Sequence, residues 1–121
     1  MSALAGELIM RCFHARTAAH VLHLKSRSYA AHKALNEFYD EIVDLADSFA
    51  EVYQGDYGLI TEYPAKYDLS ADALEMLENL SLWIEKNRKK CGDEDDTYLQ
   101  NIIDEIVTLI RQTQYKLRFL K

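Results

Sequence analysis

The chain has few residues that interrupt regular structure, because its 121 residues include only four glycines and one proline. Glycine and proline end helices and mark turns, so their scarcity argues against many short strands and predicts long helices. The chain also lacks a run of about 20 apolar residues, the length that a membrane-spanning helix requires. A chain of 121 residues is long enough for one core, so we expect a single domain covering residues 1–121.

Cysteine is scarce as well, and Cys12 and Cys91 do not form a closely spaced pair. Two distant cysteines without a recognisable signal peptide favour a reducing environment over that of a disulfide-bonded secreted protein. We therefore expect a soluble, cytoplasmic protein with no membrane partner.

Positive charge is in deficit, since 14 Lys and Arg face 20 Asp and Glu and leave a formal net charge of −6. Nucleic-acid binders usually carry a basic face or tail, so we do not expect a nucleic-acid partner. The dense basic run at residues 86–90 is followed by an acidic run at 93–96. That order suits the end of one helix and the start of the next, because each run complements a helix dipole.

Apolar residues recur with helical spacing in four segments, at about residues 3–26, 28–54, 70–92 and 96–119. We expect Gly55 to end the second helix, Gly92 to end the third, and Ser70 to cap the start of the third. The connection at residues 56–68 is rich in tyrosine and leucine, so we expect it to be ordered and to bury them. Two helices, a long connection and two further helices predict an all-α, ferritin-like four-helix bundle.

Four polar side chains of the second predicted helix share one stripe. Measured from His32 at about 100° per residue, Asn36 lies at about 40°, Asp47 at about 60° and Glu51 at about 100°. The apolar residues of this helix centre on about 280°, so the stripe is predicted to face away from the chain's own core. Imidazole nitrogens and carboxylate oxygens suit Fe(II), Mn(II) or Zn(II), so the stripe is a candidate metal site.

The two halves of this stripe are too far apart to hold one ion, because about 15 residues of helix separate them by roughly 22 Å. A second, antiparallel copy of the helix, crossing near residues 41–42, would bring the His32 half of one chain beside the Asp47 half of its partner. This arrangement is a twofold homodimer with two equivalent sites. His20, near the end of the first helix, would approach from the side.

These spacings resemble the ferroxidase centre of the Dps-type mini-ferritins. In that family a His is followed twelve residues later by a second His and then, at intervals of four, eleven and four residues, by Asp, Asp and Glu. His20, His32, Asp47 and Glu51 match by type, and Asn36 stands where the family has an Asp.

The resemblance implies a homo-oligomer that binds iron at the dimer interface and, with an intact site, oxidises Fe(II), which would serve iron sequestration and peroxide protection. Because Asn36 is neutral, it should bind a hard cation less well than a carboxylate would. The alternative is a non-enzymatic accessory protein, for instance a viral one, that has kept the bundle and lost the metal site. Its partner surface would be the aromatic residues within 57–67. For His23 the sequence leaves open a role as a nearby ligand or as a surface residue.

Overall fold

The structure, a computed structural model, describes residues 2–65 and 72–121. Within these ranges the chain is helical and contains no strand, which confirms the all-α class. Its elements are helices α1 (Ser2–Lys25), α2 (Tyr29–Tyr57), α3 (Ala73–Asn87) and α4 (Thr97–Phe119), with a 3₁₀ turn at Arg88–Lys90.

The four helices close into a bundle in which α1 packs on α2, α2 on α4, α4 on α3, and α3 on α1. Lys116 near the end of α4 forms an ion pair with Glu37 near the start of α2, so these helices are antiparallel. The Cys91 thiol just after α3 donates to the Leu4 carbonyl near the start of α1, so α3 and α1 are also antiparallel. Since α1 and α2 form a hairpin, α2 and α3 are parallel, which explains the long connection between them.

The two ends of the bundle differ in their aromatic side chains, and each end is named after them. At the histidine end α1 and α4 finish and α2 and α3 begin, and this end contains His20, His23 and His32. At the tyrosine end α1 and α4 begin and α2 and α3 finish, and this end contains Tyr57 and Tyr98.

Each helix contributes one apolar stripe to a common core, as the periodicity predicts. Fully buried side chains stabilise the fold by about 1.5–3 kcal/mol each when they are as large as leucine or phenylalanine. The largest of them are Leu8, Ile9, Phe38, Ile42, Phe49, Leu77, Ile84, Leu99, Ile103, Ile106 and Ile110.

Helix α2 is longer than its sequence suggests. Ser28 caps its start, where the side chain accepts a hydrogen bond from the Ala31 amide. The prediction that Gly55 ends the helix is wrong, because the helix continues to Tyr57 and terminates at Gly58. Gly58 has a φ of 91°, a left-handed conformation that glycine adopts without a steric penalty.

Helix α3 is shorter than predicted at its end. It finishes at Asn87, a 3₁₀ turn follows, and Gly92 with its φ of 93° lies beyond both, so Gly92 is not the end of the helix. At the start of α3, the Asp72 side chain accepts from the Leu74 amide and thereby caps the helix. Ser70, the predicted cap, lies outside the described residues.

The connection after α2 passes over the start of α1 at Gly6. A Cβ atom on Gly6 would lie 2.0 Å from the Glu62 carbonyl oxygen, so only glycine fits this backbone contact. Ile60 is buried, whereas Leu59 is 81% exposed and Tyr63 is exposed as well. Burial of the apolar residues in this segment is therefore confirmed for Ile60 and wrong for Leu59, for Tyr63 and for Tyr57, which is exposed at the end of α2. Tyr67 lies outside the described residues.

Candidate functional site

The predicted ligands fall into two groups along α2. His32 and Asn36 lie near its start, and His20 is on α1 beside them. Asp47 and Glu51 are exposed about four turns further along, and within the described residues neither carboxylate has a hydrogen bond or an ion pair. One chain therefore brings three of the five predicted residues together and leaves the two carboxylates apart, as the helix geometry requires.

His23 and His32 form a stacked and reciprocally bonded pair. Their ring centroids are 3.6 Å apart with an angle of 22° between the planes. The Nδ1 atom of His23 lies 2.7 Å from the His32 carbonyl oxygen, and the Nδ1 atom of His32 lies 3.0 Å from the His23 carbonyl oxygen. A carbonyl oxygen only accepts, so each Nδ1 must carry the hydrogen, and in the neutral ring the lone pair is on Nε2.

His23 is thus an integral part of the candidate site and not a surface residue, since only 8% of it is exposed. The sequence alone contained no reason to prefer a role of His23 in the site over a place on the surface. Its only indication is the three-residue interval from His20, which places both rings on one side of α1.

His20 and Asn36 both contact Tyr39, a residue that the sequence pattern did not indicate as part of the site. The His20 ring stacks on the Tyr39 ring at 4.2 Å between centroids. The Tyr39 hydroxyl donates to Asn36 Oδ1 at 2.6 Å, and Asn36 Nδ2 donates to Asp40 Oδ2 at 3.2 Å. The amide suits this place better than a carboxylate, because only an amide can accept from Tyr39 while donating to Asp40.

The four rings of His20, His23, His32 and Tyr39 are called the histidine cluster below. Although three imidazoles meet there, within residues 2–65 and 72–121 no group of three or more His, Cys, Asp or Glu side chains has a geometry that could hold a metal ion. A metal site that uses this cluster would therefore need further ligands beyond those that the described part of one chain brings together.

The exposed face of α2 is strongly acidic. Asp40, Asp44, Asp47 and Glu51 all lie on its outer side and are exposed. Beside this face, a groove of about 310 Å³ between α2 and α4 is lined in part by the carboxylates of Glu41, Asp44 and Glu105. Free metal ions or cationic groups would therefore be attracted to this side of the bundle.

The two cysteines do not extend the candidate site. Both are buried, free thiols, and burial raises the pKa of Cys12 and of Cys91 to about 12. A thiol with so high a pKa stays protonated at neutral pH, so it is a poor nucleophile and a poor metal ligand.

Within the described part of the chain, no helix combines the length and the apolar character needed to cross a membrane.

Comparison with known proteins gives a family and one phage relative. The profile of a family of unknown function, DUF5856, matches residues 23–117, which include all of α2 and α3 and most of α4. The chain is also 29% identical, over 115 residues, to an uncharacterized 14.6 kDa protein in the mobD-ri intergenic region of Enterobacteria phage T4. That alignment covers 93% of this chain and 87% of the phage protein. No solved structure matches the chain.

Proposed function

Because the chain belongs to the DUF5856 family, whose function is unknown, its role has to be inferred from its own residues, and we propose that it binds divalent iron, or a related transition metal, at a site shared by two copies. His32, with His20 and His23 beside it, would supply one half of each site. Asp47 and Glu51 of the second copy would supply the other half. The proposal corresponds to a divergent, Dps-like arrangement.

The observation that carries this proposal is the reciprocal bonding of His23 and His32. Metal-binding histidines usually donate the hydrogen of one ring nitrogen to a carbonyl or a carboxylate, which orients the other nitrogen toward the ion. Both rings already make this bond through Nδ1. Within the described residues Nε2 of His32 has no hydrogen-bond partner, so this atom is available to an ion.

The twofold arrangement also supplies the missing carboxylates. Antiparallel α2 helices that cross near residues 41–42 would place the exposed, unbonded Asp47 and Glu51 of one copy beside His32 of the other. Asn36 is already bonded to Tyr39 and Asp40. In this arrangement it holds the histidine cluster in place, while the charge that a divalent ion needs comes from the second chain.

Charge makes the proposed dimer dependent on metal. The exposed acidic face of α2 would meet the same face of the second copy, and like charges across an interface are destabilising. A divalent cation in each of the two sites would offset this repulsion. Metal binding and dimerisation should therefore be coupled.

If the ion is Fe(II), the proposed reaction is its oxidation by peroxide. Two Fe(II) ions each lose one electron to one peroxide molecule, whose O–O bond breaks and which takes up two protons to leave as two waters. Fe(II) would be the substrate, and the protein would contribute the ligands that hold it. This reaction would remove iron and peroxide together.

The test is an anaerobic Fe(II) titration by calorimetry, combined with native mass spectrometry. We expect about two ions per dimer and a dimer that forms only with metal. The variant Asp47→Asn/Glu51→Gln should lose both properties. The control Glu75→Gln/Glu85→Gln removes two exposed carboxylates from α3 and should behave as the wild type. Binding that is absent, or that persists in the Asp47→Asn/Glu51→Gln variant, would rule out the shared site.

A second candidate function, an accessory protein that binds a protein partner and no metal, is favoured by the exposure of the connection after α2. Leu59 is 81% exposed, and Tyr57 and Tyr63 are exposed beside it in sequence. The phage relative is compatible with a viral accessory role. Here Leu59→Ser/Tyr63→Ser should abolish capture of a defined partner, whereas Leu82→Ser, at an exposed leucine of α3, should not. Equal capture by both variants would exclude this surface.

A further inference from the structure

Although the net charge of the chain is negative, two stretches of it contain only basic charges. Residues 8–36 and 106–121 contain nine Lys and Arg and no Asp or Glu. The remainder contains five Lys and Arg and all 20 Asp and Glu. The first two stretches comprise most of α1, the start of α2 and the second half of α4, and the bundle brings parts of all three to the histidine end.

Five cations at this end are exposed and form no ion pair within the described residues: Lys25, Arg27, Lys33, Arg118 and Lys121. Lys116, also at this end, is instead bonded to Glu37 at 2.6 Å. Lys33 also lowers the pKa of Glu37, but less than Lys116 does. These five cations are therefore not neutralised by a direct ion pair within the described residues.

The same end exposes large apolar side chains. Leu24 is 72% exposed, Tyr29 is 76% exposed and Phe119 is 69% exposed. Tyr115 and Leu120 are also exposed, and the Tyr115 ring lies 5.8 Å from the ring of Phe119. We call these five residues together with the five unpaired cations the basic cap.

We propose that the basic cap docks on the surface of an anionic lipid bilayer. Leucine and phenylalanine side chains partition into the boundary between headgroups and acyl chains, and tyrosine rings favour the same interface. Lysine and arginine around them are attracted to the negative surface of the membrane. The cap combines both properties at one end of the bundle, so the protein would bind end-on, without spanning the membrane.

A lipid surface fits the basic cap better than a nucleic acid does. Single-stranded nucleic acids are bound in basic grooves by aromatic stacking, and the aliphatic side chains of Leu24 and Leu120 cannot stack on bases in this way. The cavities of about 440 and 310 Å³ lie between α1 and α3 and between α2 and α4, and no residue of the cap lines either one. Exposed apolar residues that line neither of these cavities are suited to a flat, deformable surface.

The acidic residues elsewhere do not prevent this contact. Asp40 on α2 and Asp72 and Glu75 at the start of α3 lie toward the same end of the bundle, but the five unpaired cations of the basic cap outnumber these three carboxylates. The 24 residues of α1 extend over about 36 Å, so the acidic groups of the tyrosine end are several screening lengths away. The sequence-based expectation of no membrane partner rested on the absence of a spanning run, which does not bear on a peripheral contact.

The test uses the full chain and lipid vesicles in a sedimentation assay. The protein should sediment with vesicles of about 70% phosphatidylcholine and 30% phosphatidylglycerol but not with vesicles of pure phosphatidylcholine. The fraction that sediments should fall with added salt. Arg27→Glu/Arg118→Glu should lower the partition coefficient of the protein between water and the anionic vesicles at least about ten-fold. Phe119→Ser/Leu120→Ser should weaken it several-fold with all the charges still present.

The matched control is Lys86→Glu/Lys90→Glu, which makes the same change in net charge at exposed positions of the other end. It should stay within about two-fold of the wild type. Thermal unfolding followed by circular dichroism verifies that each variant is folded. Equal losses in the control and in the cap variant, or no retention by anionic vesicles, would overturn the proposal. Binding to a single-stranded oligonucleotide without binding to vesicles would also overturn it.

Discussion

The two ends of the bundle differ in whether their polar side chains keep atoms without a hydrogen-bond partner. At the tyrosine end, Tyr57 donates to Asp96 and Tyr98 donates to Asp56, so two hydrogen bonds join the end of α2 to the start of α4. At the histidine end, the Nδ1 bonds of the imidazoles leave their Nε2 atoms without partners among the described residues. Polar groups join neighbouring helices at both ends, but only the histidine end also has ring nitrogens without a partner among the described residues.

The electrostatics of the tyrosine end agree with this comparison. The bond to Asp56 raises the pKa of Tyr98 to about 12, and the bond to Asp96 raises the pKa of Tyr57. A phenol that donates to a carboxylate resists ionisation, because ionisation would place two negative charges side by side. We therefore regard the tyrosine end as structural and the histidine end as the place where function is to be sought.

The largest expected effect is that of Gly6→Ala, near the tyrosine end. The new Cβ atom would collide with the Glu62 carbonyl, so the connection or α1 has to shift, and we expect a loss of about 1–3 kcal/mol in the free energy of unfolding. Urea denaturation measures this loss. Gly55→Ala is the control, because its Cβ meets no atom within 4 Å, and it should stabilise the protein by up to about 1 kcal/mol. Similar stability of the two variants would contradict the close contact at Gly6.

The second prediction concerns alkaline pH. Burial raises the pKa of the Cys12 and Cys91 thiols in the folded protein to about 12, from an ordinary value of 9.0. Above pH 9 the unfolded chain releases these protons and the folded chain does not, so stability falls as pH rises from about 9 to 12. We expect a loss of roughly 1 kcal/mol per thiol at pH 10, measured as the free energy of unfolding. The variant Cys12→Ala/Cys91→Ala, itself less stable, should show a weaker dependence on pH in this range.

The third prediction separates the histidines by their bonding. His23→Ala removes a buried ring and leaves the His32 carbonyl without its Nδ1 partner, so it should cost about 1–2 kcal/mol. His20→Ala removes an exposed ring that makes no hydrogen bond within the described residues, and it should cost less than about 0.5 kcal/mol. Chemical denaturation of both variants provides the measurement. A larger loss for His20→Ala would reverse the order that the structure gives.

The smallest effect belongs to the ion pair that joins α4 to α2 at the histidine end. Lys116 holds the pKa of Glu37 below its ordinary value, first through a hydrogen bond and then through charge. Its stabilisation is present above the unfolded pKa of the carboxyl and is lost as pH falls through the folded one. Because both side chains are partly exposed, Lys116→Met should cost less than about 1 kcal/mol at pH 7. A loss that does not shrink in acid or at high salt would exclude an electrostatic cause.

Much of the helical framework could be predicted from the sequence, because apolar periodicity and capping residues act locally. Ser28 precedes α2 as its cap, and the stripe containing Phe38, Ile42 and Phe49 is buried as expected. The position of the helix ends was less predictable. Gly55 and Gly58 are equally good signals, and only the backbone conformation shows that the chain turns at Gly58.

The angular positions of the candidate site residues around α2 were predictable from the sequence, but the contacts between their side chains were not. The stripe of His32, Asp47 and Glu51 follows from the helical repeat, and the exposure of both carboxylates agrees with it. The stacked pair of His23 and His32 joins residues of two different helices, and no local rule specifies which rings meet across a hairpin. The sharing of the site between two chains remains a proposal.

By itself, the sequence of this protein determined which segments are helical and which face of each is apolar, because both depend on short-range periodicity and on the free energy of burying that face. It also determined that two stretches of the chain, residues 8–36 and 106–121, contain Lys and Arg but no Asp or Glu. Only the tertiary structure decided that these stretches meet at one end of the bundle, and that His23 rather than a carboxylate is the neighbour of His32. These outcomes depend on how α1 packs on α2 and α2 on α4, and such packing joins residues that are far apart in the chain.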